Sequence, residues 1–563
     1  MHSLDFIVLF GTLGFIVSYG VWKTRGDKNI EGYLLGDKSM KWGTIGLSVM
    51  ATQASAITFI STPGQAYESG MGFIQNYFGL PIALIIVAFV FIPLYYKLKV
   101  YTAYEFLEKR FDQKTRLLGA FLFLVQRGLA AGITIYAPAI ILSTILGWDL
   151  TWTILLVGTL VIVYTVSGGT KAVSLTQKHQ MTVILVGMFV AFGYIIHYLS
   201  PFVSFGGALE IAGKLDKLNA VDFSIDPEKR YTVWTGLLGG LFLALSYFGT
   251  DQSQVQRYLG GKNTTESKMG LMFNAVLKIP MQFFILLTGA LIYVFYIFYQ
   301  PPLHFNEVSV KIVEEAGKST EVAKLKSEFE FLIETRKTSA LDYRDALQNN
   351  QGVVLAQEKL LESSTAVESK RQEMKELITS VDDSIKTKDS DYVFLTFILN
   401  YLPHGIIGLL IAVIFSAAMS STSSEINALA STSIVDFYKN VIYTNGTERG
   451  YLIASKWLTV MWGCLAISFA FLANLSENLI EMVNILGSIF YGNILGIFLV
   501  AFFVKFVKGN AIFYAAITSQ AMIFYLFLST DIGYLWFNLI GCSSTILLSM
   551  LLQVFLKKNS IEQ

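Results

Sequence analysis

Residues 409–424 of this chain read LLIAVIFSAAMSSTSS, an apolar run that passes directly into a cluster of hydroxyl side chains. Residues 416–424 hold six Ser or Thr side chains and no charged residue. The surrounding apolar sequence is long enough for a membrane-spanning helix, which needs about 20 mostly apolar residues. Polar groups inside such a helix are costly unless a site uses them. This stretch therefore predicts a membrane fold and marks a candidate functional site.

The composition of the 563 residues also indicates a membrane protein. Hydrophobic residues make up 53% and charged residues only 15%, whereas soluble proteins carry about 25% charged residues. The formal net charge is +1, so no nucleic-acid partner is expected. The two cysteines lie in separate apolar runs and the five histidines are scattered, which predicts neither a disulfide framework nor a zinc site.

Thirteen segments have the length and apolar character of membrane spans. They lie near residues 4–22, 43–68, 76–97, 116–145, 149–167, 179–199, 231–251, 271–299, 393–434, 450–472, 478–504, 510–529 and 534–556. Lys and Arg residues cluster in alternate short loops, so the positive-inside rule predicts an outside N-terminus and a cytoplasmic C-terminus. The short loops favour a prokaryotic inner (plasma) membrane.

Residues 303–391 differ from the rest because Lys, Glu, Asp, Gln and Ser predominate there. Apolar residues recur in two runs at helical spacing, and residues 349–352 between the runs read NNQG, a turn signal. We predict an extracytoplasmic helical hairpin between residues 1–302, with spans 1–8, and residues 392–563, with spans 9–13 and a short tail. A solvated insert or an oligomer contact is the simplest role for it, and solute capture is the alternative.

A second polar stretch lies in the second predicted span. Residues 51–58 read ATQASAIT and are followed by Pro63 and Gly64. Such a sequence permits a local break in the helix, which exposes backbone carbonyl oxygens. Carbonyl and hydroxyl oxygens without carboxylates suit a weakly held monovalent cation, since divalent ions are normally bound by carboxylates. Close packing of helices through small residues is the alternative explanation.

Few ionisable residues fall inside the predicted spans. Arg127 and Lys278 lie within them, and for Arg127 a structural role is the simpler expectation. For Lys278, snorkelling toward the membrane surface and contact with a substrate both remain open. Those nearer the span ends are Asp251, Glu425, Lys456 and Glu481. No grouping of nucleophile, base or metal ligands in the spans suggests an enzyme.

Four motifs make the chain resemble the sodium/solute symporter family, which includes the sodium/glucose, proline and sialic acid cotransporters. They are AAMSSTSS at 417–424, GGTKAV at 168–173, DQSQVQRYLGGKN at 251–263, and the turn at 64–70. The resemblance covers about residues 1–300 and 393–556. It implies an all-α integral membrane protein of about 13 helices, whose core is two inverted five-helix repeats with discontinuous helices.

The resemblance also implies where Na⁺ would bind. The main sodium site would consist of the carbonyls of Ala51, Ala54 and Ala417 with the hydroxyls of Ser420 and Ser421. Some relatives hold a second sodium ion through hydroxyls that match Ser420, Ser423 and Ser424, together with an Asp. That Asp position is Gln177 here, which lacks the charge, so we expect one sodium ion per cycle.

Positions that match substrate contacts of the family follow in the same way. They are Ser55 and Thr58 in the second span, Gln75, Asn76 and Tyr77 in the third, and Asn484 in the eleventh. Tyr247 matches an aromatic inner gate of sugar carriers, and Lys278 matches a lysine that binds sugar hydroxyls. The chain departs from the sugar branch at Ala244, where an Asn is expected, and it lacks the acidic third-span contact. A polar and largely uncharged pocket is expected.

These observations predict a sodium-coupled secondary active symporter that imports a small polar organic solute by alternating access. A sugar or polyol is the expected solute, and a sugar acid such as sialic acid or an amino acid is the alternative. A transporter-like membrane sensor that uses residues 303–391 is the alternative of another class. The expected partners are the solute, the Na⁺ coupling ion, the bilayer and, through residues 303–391, a second copy or another protein.

Overall fold

The computed structural model describes residues 2–24, 38–54, 56–382, 387–472 and 478–559. Every named element in these ranges is a helix, as the predicted all-α fold requires. In the same ranges, nine helical segments are long and apolar enough to cross a membrane, and three shorter apolar helices accompany them. One of the nine, Ile57–Leu98, contains parts of two predicted spans.

The described residues form 21 α-helices, numbered in chain order. Up to the polar insert they are α1 Ser3–Thr24, α2 Trp42–Gln53, α3 Ala56–Ser69, α4 Leu80–Ile86, α5 Ile92–Leu98, α6 Glu105–Arg110, α7 Gln113–Leu146, α8 Leu150–Leu199, α9 Phe205–Lys214, α10 Gly240–Gly249, α11 Gln252–Leu259 and α12 Thr264–Phe298. The remainder are α13 Glu307–Val313, α14 Ser319–Asn349, α15 Val353–Val381, α16 Ser390–Tyr401, α17 Ile406–Thr432, α18 Glu448–Leu472, α19 Leu479–Phe503, α20 Gly509–Ser529 and α21 Trp536–Asn559.

The second predicted span is discontinuous. Helix α2 ends at Gln53, and Ala54 leaves the helical conformation with φ −89° and ψ 68°. Helix α3 begins at Ala56 and continues through Pro63. The break therefore falls in the stretch of small residues ahead of Pro63 and not at the proline itself. A proline eight residues into a helix can be accommodated at membrane depth because neighbouring helices satisfy the freed backbone groups.

The fifth and sixth predicted spans differ from expectation because they are joined. Helix α8 runs for 50 residues from Leu150 to Leu199 without interruption. The GGTKAV motif at 168–173, which falls between the predicted spans 149–167 and 179–199, lies inside this helix. No proline occurs between residues 150 and 199, and two glycines cost only about 1 kcal/mol each in a helix interior.

Helix α17, which carries the hydroxyl cluster, lies at the centre of the bundle. It packs against α1, α7 and α8 and also contacts both α2 and α3. Helix α12 packs along the same two helices from another side. The two halves of the discontinuous span are thus held between α17 and α12, which fixes the position of the break.

Glycine permits the close approach of α12 to α3. A Cβ atom at Gly289 would overlap the backbone carbonyl of Pro63, which cannot move aside as a flexible side chain would. We expect Gly289→Ala to lower the free energy of unfolding by about 1–3 kcal/mol, the usual cost of overpacking. Thermal unfolding of the purified protein in detergent measures this. Gly193→Ala is the matched control, because nothing lies within 4 Å of its Cβ position, and equal losses in both variants would contradict the packing argument.

Residues 303–381 form a separate helical layer on one end of the bundle. Helices α14 and α15 pack against each other, and a second hydrophobic cluster lies there, distinct from the main core. Its buried members are Leu303, Val310, Val313, Val322, Phe329, Ile333, Val367, Met374 and Ile378. The insert therefore has a small core of its own.

Arginine side chains attach this layer to the bundle. Arg336 donates a hydrogen bond to the Tyr296 carbonyl at 2.9 Å, and Arg371 donates to Asp389 at 2.8 Å. Burial alone would raise the pKa of Asp389, but the Arg371 guanidinium beside it brings that pKa to about 2. Asp389 therefore stays charged at neutral pH, and the pair persists where the insert rejoins the bundle.

Candidate functional site

The hydroxyl cluster of α17 faces the break between α2 and α3. The Ser421 hydroxyl donates to the Ala51 carbonyl across a distance of 3.3 Å. Ala51, Ala54 and Ala417 are all buried, as are Ser420 and Ser421. Among the described residues the Ser420 hydroxyl has no hydrogen-bond partner. Four of the five predicted ligands of the main sodium site thus lie on α2 and α17, which are in contact. The fifth, Ala54, lies at the break just after α2, and an unpartnered oxygen lies among them.

Gln177 of α8 links α2 to α17. Its Oε1 accepts a hydrogen bond from the Ser48 hydroxyl at 2.6 Å. Its Nε2 donates to Thr52 Oγ1 at 3.2 Å and to Ser424 Oγ at 3.3 Å. The Ser424 hydroxyl donates onward to the Ser420 carbonyl. Both N–H groups of this amide therefore point at hydroxyl oxygens. One of these, the Ser424 oxygen, belongs to the second sodium site that the resemblance implies.

A cavity of about 100 Å³ lies beside this region. For scale, an engineered cavity of roughly 150 Å³ in another protein binds benzene. Four predicted substrate residues line the cavity, namely Asn76, Tyr77, Tyr247 and Asn484. The cavity wall also contains polar side chains that were not predicted from the sequence as solute contacts, namely Thr52, Gln53, Thr134 and Tyr491. The cavity is smaller than that reference cavity, so a solute larger than benzene would require it to widen.

The other predicted substrate residues lie elsewhere. Thr58 is buried and its hydroxyl donates to the Gln53 carbonyl at 3.5 Å, next to the helix break. Gln75 lines a different cavity. Lys278 is fully buried behind Tyr77, with its Nζ 5.4 Å from the centre of that ring. Ser55 falls outside the described residues.

A charged network forms one wall of the cavity. Arg127 donates to Asp251, to the Tyr491 hydroxyl at 2.5 Å and to Glu425 Oε1 at 3.1 Å. Both Arg127 and Glu425 line the cavity, so the expectation of a largely uncharged pocket is wrong. The sequence showed each of these ionisable residues singly. Their opposite signs inside apolar spans were the available signal, since charges at membrane depth usually pair.

Tyr247 lies within this wall. The Gln254 side chain donates to its hydroxyl at 2.6 Å, and the Arg127 guanidinium lies 5.3 Å from the centre of its ring. The Tyr247 and Tyr491 rings are tilted against each other at 6.0 Å. The phenol therefore belongs to the same contact network as the charged side chains. A substitution of Arg127 would alter the packing of Tyr247.

A larger cavity of about 710 Å³ lies on the side of the insert. Glu481 lies in its wall, accepts from the Tyr231 hydroxyl at 2.6 Å and pairs with Arg230 and Lys388 at 3.3 and 3.5 Å. Ile480 and Asn484, on the same turns of α19, line the smaller cavity instead. The first turns of α19 therefore separate the two cavities.

A family model described as the sodium:solute symporter family matches residues 33–322 and 379–518. The unmatched residues 323–378 fall within the polar insert. The sodium-coupled monocarboxylate transporter 1 of Xenopus laevis is 28% identical over 490 residues. That alignment covers 87% of this chain and 66% of the Xenopus protein, so this chain spans only part of that relative's length.

A further relative and a solved structure cover nearly the whole chain. The sodium/sialic acid symporter NanT of Aliivibrio fischeri is 25% identical over 566 residues, which is 99% of this chain and 94% of NanT. The substrate-bound, outward-open structure of a Na⁺-coupled sialic acid symporter superimposes with a TM-score of 0.75 at 23% identity, over 98% of both chains. This likeness shows the fold. The chain therefore belongs to the sodium:solute symporter family, as an integral membrane transporter, not an enzyme, whose coupling ion is Na⁺.

Proposed function

We propose that the chain imports a small neutral solute rich in hydroxyl groups, a sugar or polyol, together with Na⁺. One observation carries this choice. Three acceptor oxygens in the cavity wall, Gln53 Oε1, Asn76 Oδ1 and Glu425 Oε2, are buried and have no hydrogen-bond partner among the described residues. Buried polar atoms are normally satisfied, so the missing donors belong to the solute. Hydroxyl groups supply such donors without adding charge.

The proposed sodium ion bridges the helix break and α17. Its ligands are the carbonyls of Ala51, Ala54 and Ala417 and the hydroxyls of Ser420 and Ser421. The contact of Ser421 with Ala51 and the unpartnered Ser420 hydroxyl support this assignment. Hard, uncharged oxygen ligands bind a monovalent cation weakly enough for release on the other side of the membrane.

In the proposed cycle, Na⁺ favours the outward-open state because it holds α2, α3 and α17 together, and so completes the solute site. Asn76, Tyr77 and Asn484 contact the solute, Thr58 lies next to the helix break, and Gln75 lies on the entrance side. Lys278 orients Tyr77 from behind. Loss of Na⁺ to the cytoplasm then releases the Tyr247 gate. Each inward charge gains about 2.3 kcal/mol per 100 mV, which is enough to drive accumulation.

We propose one sodium ion per cycle. The Gln177 amide directs its N–H groups at Thr52 and Ser424, so its positive end occupies the place where a second cation would need oxygen atoms. Ser423 would be a further ligand of such an ion, and its hydroxyl lacks a partner in the described residues. The second site is thus partly present but blocked by the amide.

Gln177→Asp tests this stoichiometry. The change removes the N–H groups and adds a carboxylate beside Ser423 and Ser424, so the Hill coefficient for Na⁺ in uptake should rise from about 1 toward about 2. Gln177→Asn keeps an amide and is the control, which should stay near 1. A Hill coefficient near 2 in the wild type would contradict the proposal.

The location within the cell is also a proposal. Basic residues in alternate loops support a cytoplasmic C-terminus and an outside N-terminus, and the bacterial relative supports an inner membrane. The insert at 303–391 would then face outward. Exposed apolar side chains on it, such as Phe331, Val354 and Leu355, support a contact with a second copy or another protein.

A sugar acid, an amino acid or another carboxylate is the second candidate solute. The Arg127 guanidinium lines the cavity, and the relatives described above are named for sialic acid and monocarboxylates. Arg127 is already bound by two carboxylates, which weakens this candidate. The sensor alternative is weaker still, since the family and the named relatives are transporters.

Competition separates the solute classes. Proteoliposomes would take up a labelled polyol or hexose under a Na⁺ gradient, with excess unlabelled myo-inositol, glucose, galactose, sialic acid, lactate or proline. The proposal predicts inhibition by one or more neutral hydroxylated solutes and none by lactate or proline. Inhibition, or direct labelled uptake, confined to the carboxylates would select the second candidate.

A further inference from the structure

One acidic side chain lies between the proposed ion site and the solute cavity. Glu425 follows Ser421 by four residues on α17, and residues four apart on a helix share a face, about 6 Å apart along the axis. Glu425 is 6% exposed and lines the cavity. A single carboxylate therefore borders both ligands of the transporter.

The charges around Glu425 do not balance. Arg127 is its cationic partner, with 3.1 Å between Nη1 and Oε1, but Arg127 also pairs with Asp251. Arg127 is the only Lys or Arg that the described residues contribute to the cavity wall. Tyr491 donates a hydrogen bond to Asp251 at 2.8 Å, and it adds no charge. Two carboxylates thus share one guanidinium, which leaves one negative charge in excess.

The second oxygen of Glu425 shows where the excess charge lies. Oε2 is buried without a hydrogen-bond partner among the described residues. A buried carboxylate that lacks full compensation is strongly unfavourable. The cluster therefore favours one additional monovalent cation nearby.

We propose that Glu425 is the counter-charge of the coupling sodium ion and transmits its presence to the solute cavity. The ion lies one turn away at Ser420 and Ser421 and balances the excess charge through space, without Glu425 being one of its ligands. Because Oε1 is bound to Arg127 in the cavity wall, sodium occupancy fixes Glu425 and Arg127 together and preserves the Oε2 acceptor for the solute. This inference rests on the proposed sodium site.

Charge and shape can be separated with two variants. Glu425→Gln keeps the shape and removes the charge, whereas Glu425→Asp keeps the charge and shortens the side chain. The Na⁺ concentration for half-maximal thermal stabilisation of the purified protein, with choline as the replacement ion, reports Na⁺ binding without transport. Uptake kinetics then give the half-saturating Na⁺ concentration separately from the KM for solute.

We expect Glu425→Gln to raise the Na⁺ concentration for half-maximal thermal stabilisation and the half-saturating Na⁺ concentration for uptake by about tenfold each. The reason is that opposite charges at this separation attract appreciably in a partly buried site. Glu425→Asp should raise them less than about threefold. An unchanged Na⁺ requirement in Glu425→Gln, or a larger loss in Glu425→Asp than in Glu425→Gln, would overturn the proposal, because the side chain would then act through packing.

Asp251→Asn gives an independent test if Glu425→Gln does not fold. This change removes the excess charge while Glu425 stays in place, so the Na⁺ requirement should again rise, and no rise would overturn the inference. The wild type distinguishes the two proposals. A wild type that neither binds Na⁺ nor takes up solute with it refutes the proposed function, whereas a Na⁺-dependent wild type with unaffected variants refutes only the role of Glu425.

Discussion

Replacing Ser421 by alanine should remove most of the Na⁺-driven uptake at physiological Na⁺ concentration. The substitution deletes one of the two hydroxyl ligands proposed for the ion, and Ser421 is the one that already contacts the Ala51 carbonyl across the helix break. Loss of one ligand from a site whose direct ligands are all uncharged should raise the half-saturating Na⁺ concentration by about tenfold or more, equivalent to about 1.4 kcal/mol or more of binding free energy. Initial uptake rates over a range of Na⁺ concentrations measure this.

Ser431→Ala is the matched control on the same helix. The Ser431 hydroxyl donates only to the Asn427 carbonyl, one turn earlier on α17, at 2.6 Å, so its removal should change the Na⁺ requirement less than about twofold. If Ser421→Ala kept the Na⁺ requirement of the wild type, the ion would bind elsewhere. If Ser431→Ala lost Na⁺ dependence equally, the effect would come from damage to the helix and not from a lost ligand.

Replacing Arg127 by methionine should cause a large loss of stability. The arginine is 2% exposed and pairs with both Asp251 and Glu425, which are 1% and 6% exposed. Removal of the cation leaves two carboxylates facing each other in a buried site, and breaking a buried ion pair in this way costs about 3–5 kcal/mol. Urea or thermal unfolding in detergent measures the loss, with the yield of folded protein as a second readout.

Arg344→Met provides the contrast. Arg344 lies on the insert, where it pairs with the neighbouring Asp345 and donates to the Phe202 carbonyl at 2.6 Å. A half-exposed ion pair of this kind is worth about 1 kcal/mol or less. Comparable losses in Arg127→Met and Arg344→Met would contradict the assignment of Arg127 as the cation that holds the cavity wall together.

Most of the proposed ion site is local in sequence, so sequence alone could suggest it. Ala417, Ser420 and Ser421 lie within five residues of one helix, so helical spacing alone brings them together. The break at Ala54 was predictable from small residues in an apolar span, although helix α3 passes through Pro63 unbroken. Sequence could not show that the two segments meet, since that contact depends on how α17 packs.

The charged wall of the cavity was harder to predict from sequence than the hydroxyl cluster of α17. Arg127 meets Asp251 across 124 residues and Glu425 across 298 residues of sequence. Each residue taken alone had a simpler explanation, such as a position near the end of a span. Only the packing of α7 and α17 around Asp251, just before α11, makes them one network. This network adds charges to a pocket that the family resemblance implied to be largely uncharged.

Gln75 shows how local geometry redirects a residue. It was expected beside Asn76 and Tyr77 at the solute site, but residues Gly70–Tyr77 form a 3₁₀ helix. With three residues per turn, successive side chains point about 120° apart. Such steps allow neighbouring residues to face different cavities: Asn76 and Tyr77 line the small cavity, whereas Gln75 donates to the Tyr231 carbonyl at 3.0 Å in the wall of the larger one.

We expect a Na⁺ gradient to drive a neutral hydroxylated solute through this chain. The most direct measurement is uptake of labelled hexose or polyol into proteoliposomes with Na⁺ outside, compared with K⁺ outside and with Na⁺ equal on both sides. The account predicts transient accumulation above the external concentration only with the inward Na⁺ gradient, and its collapse on addition of a sodium ionophore. Uptake that is the same in K⁺ as in Na⁺ would contradict it.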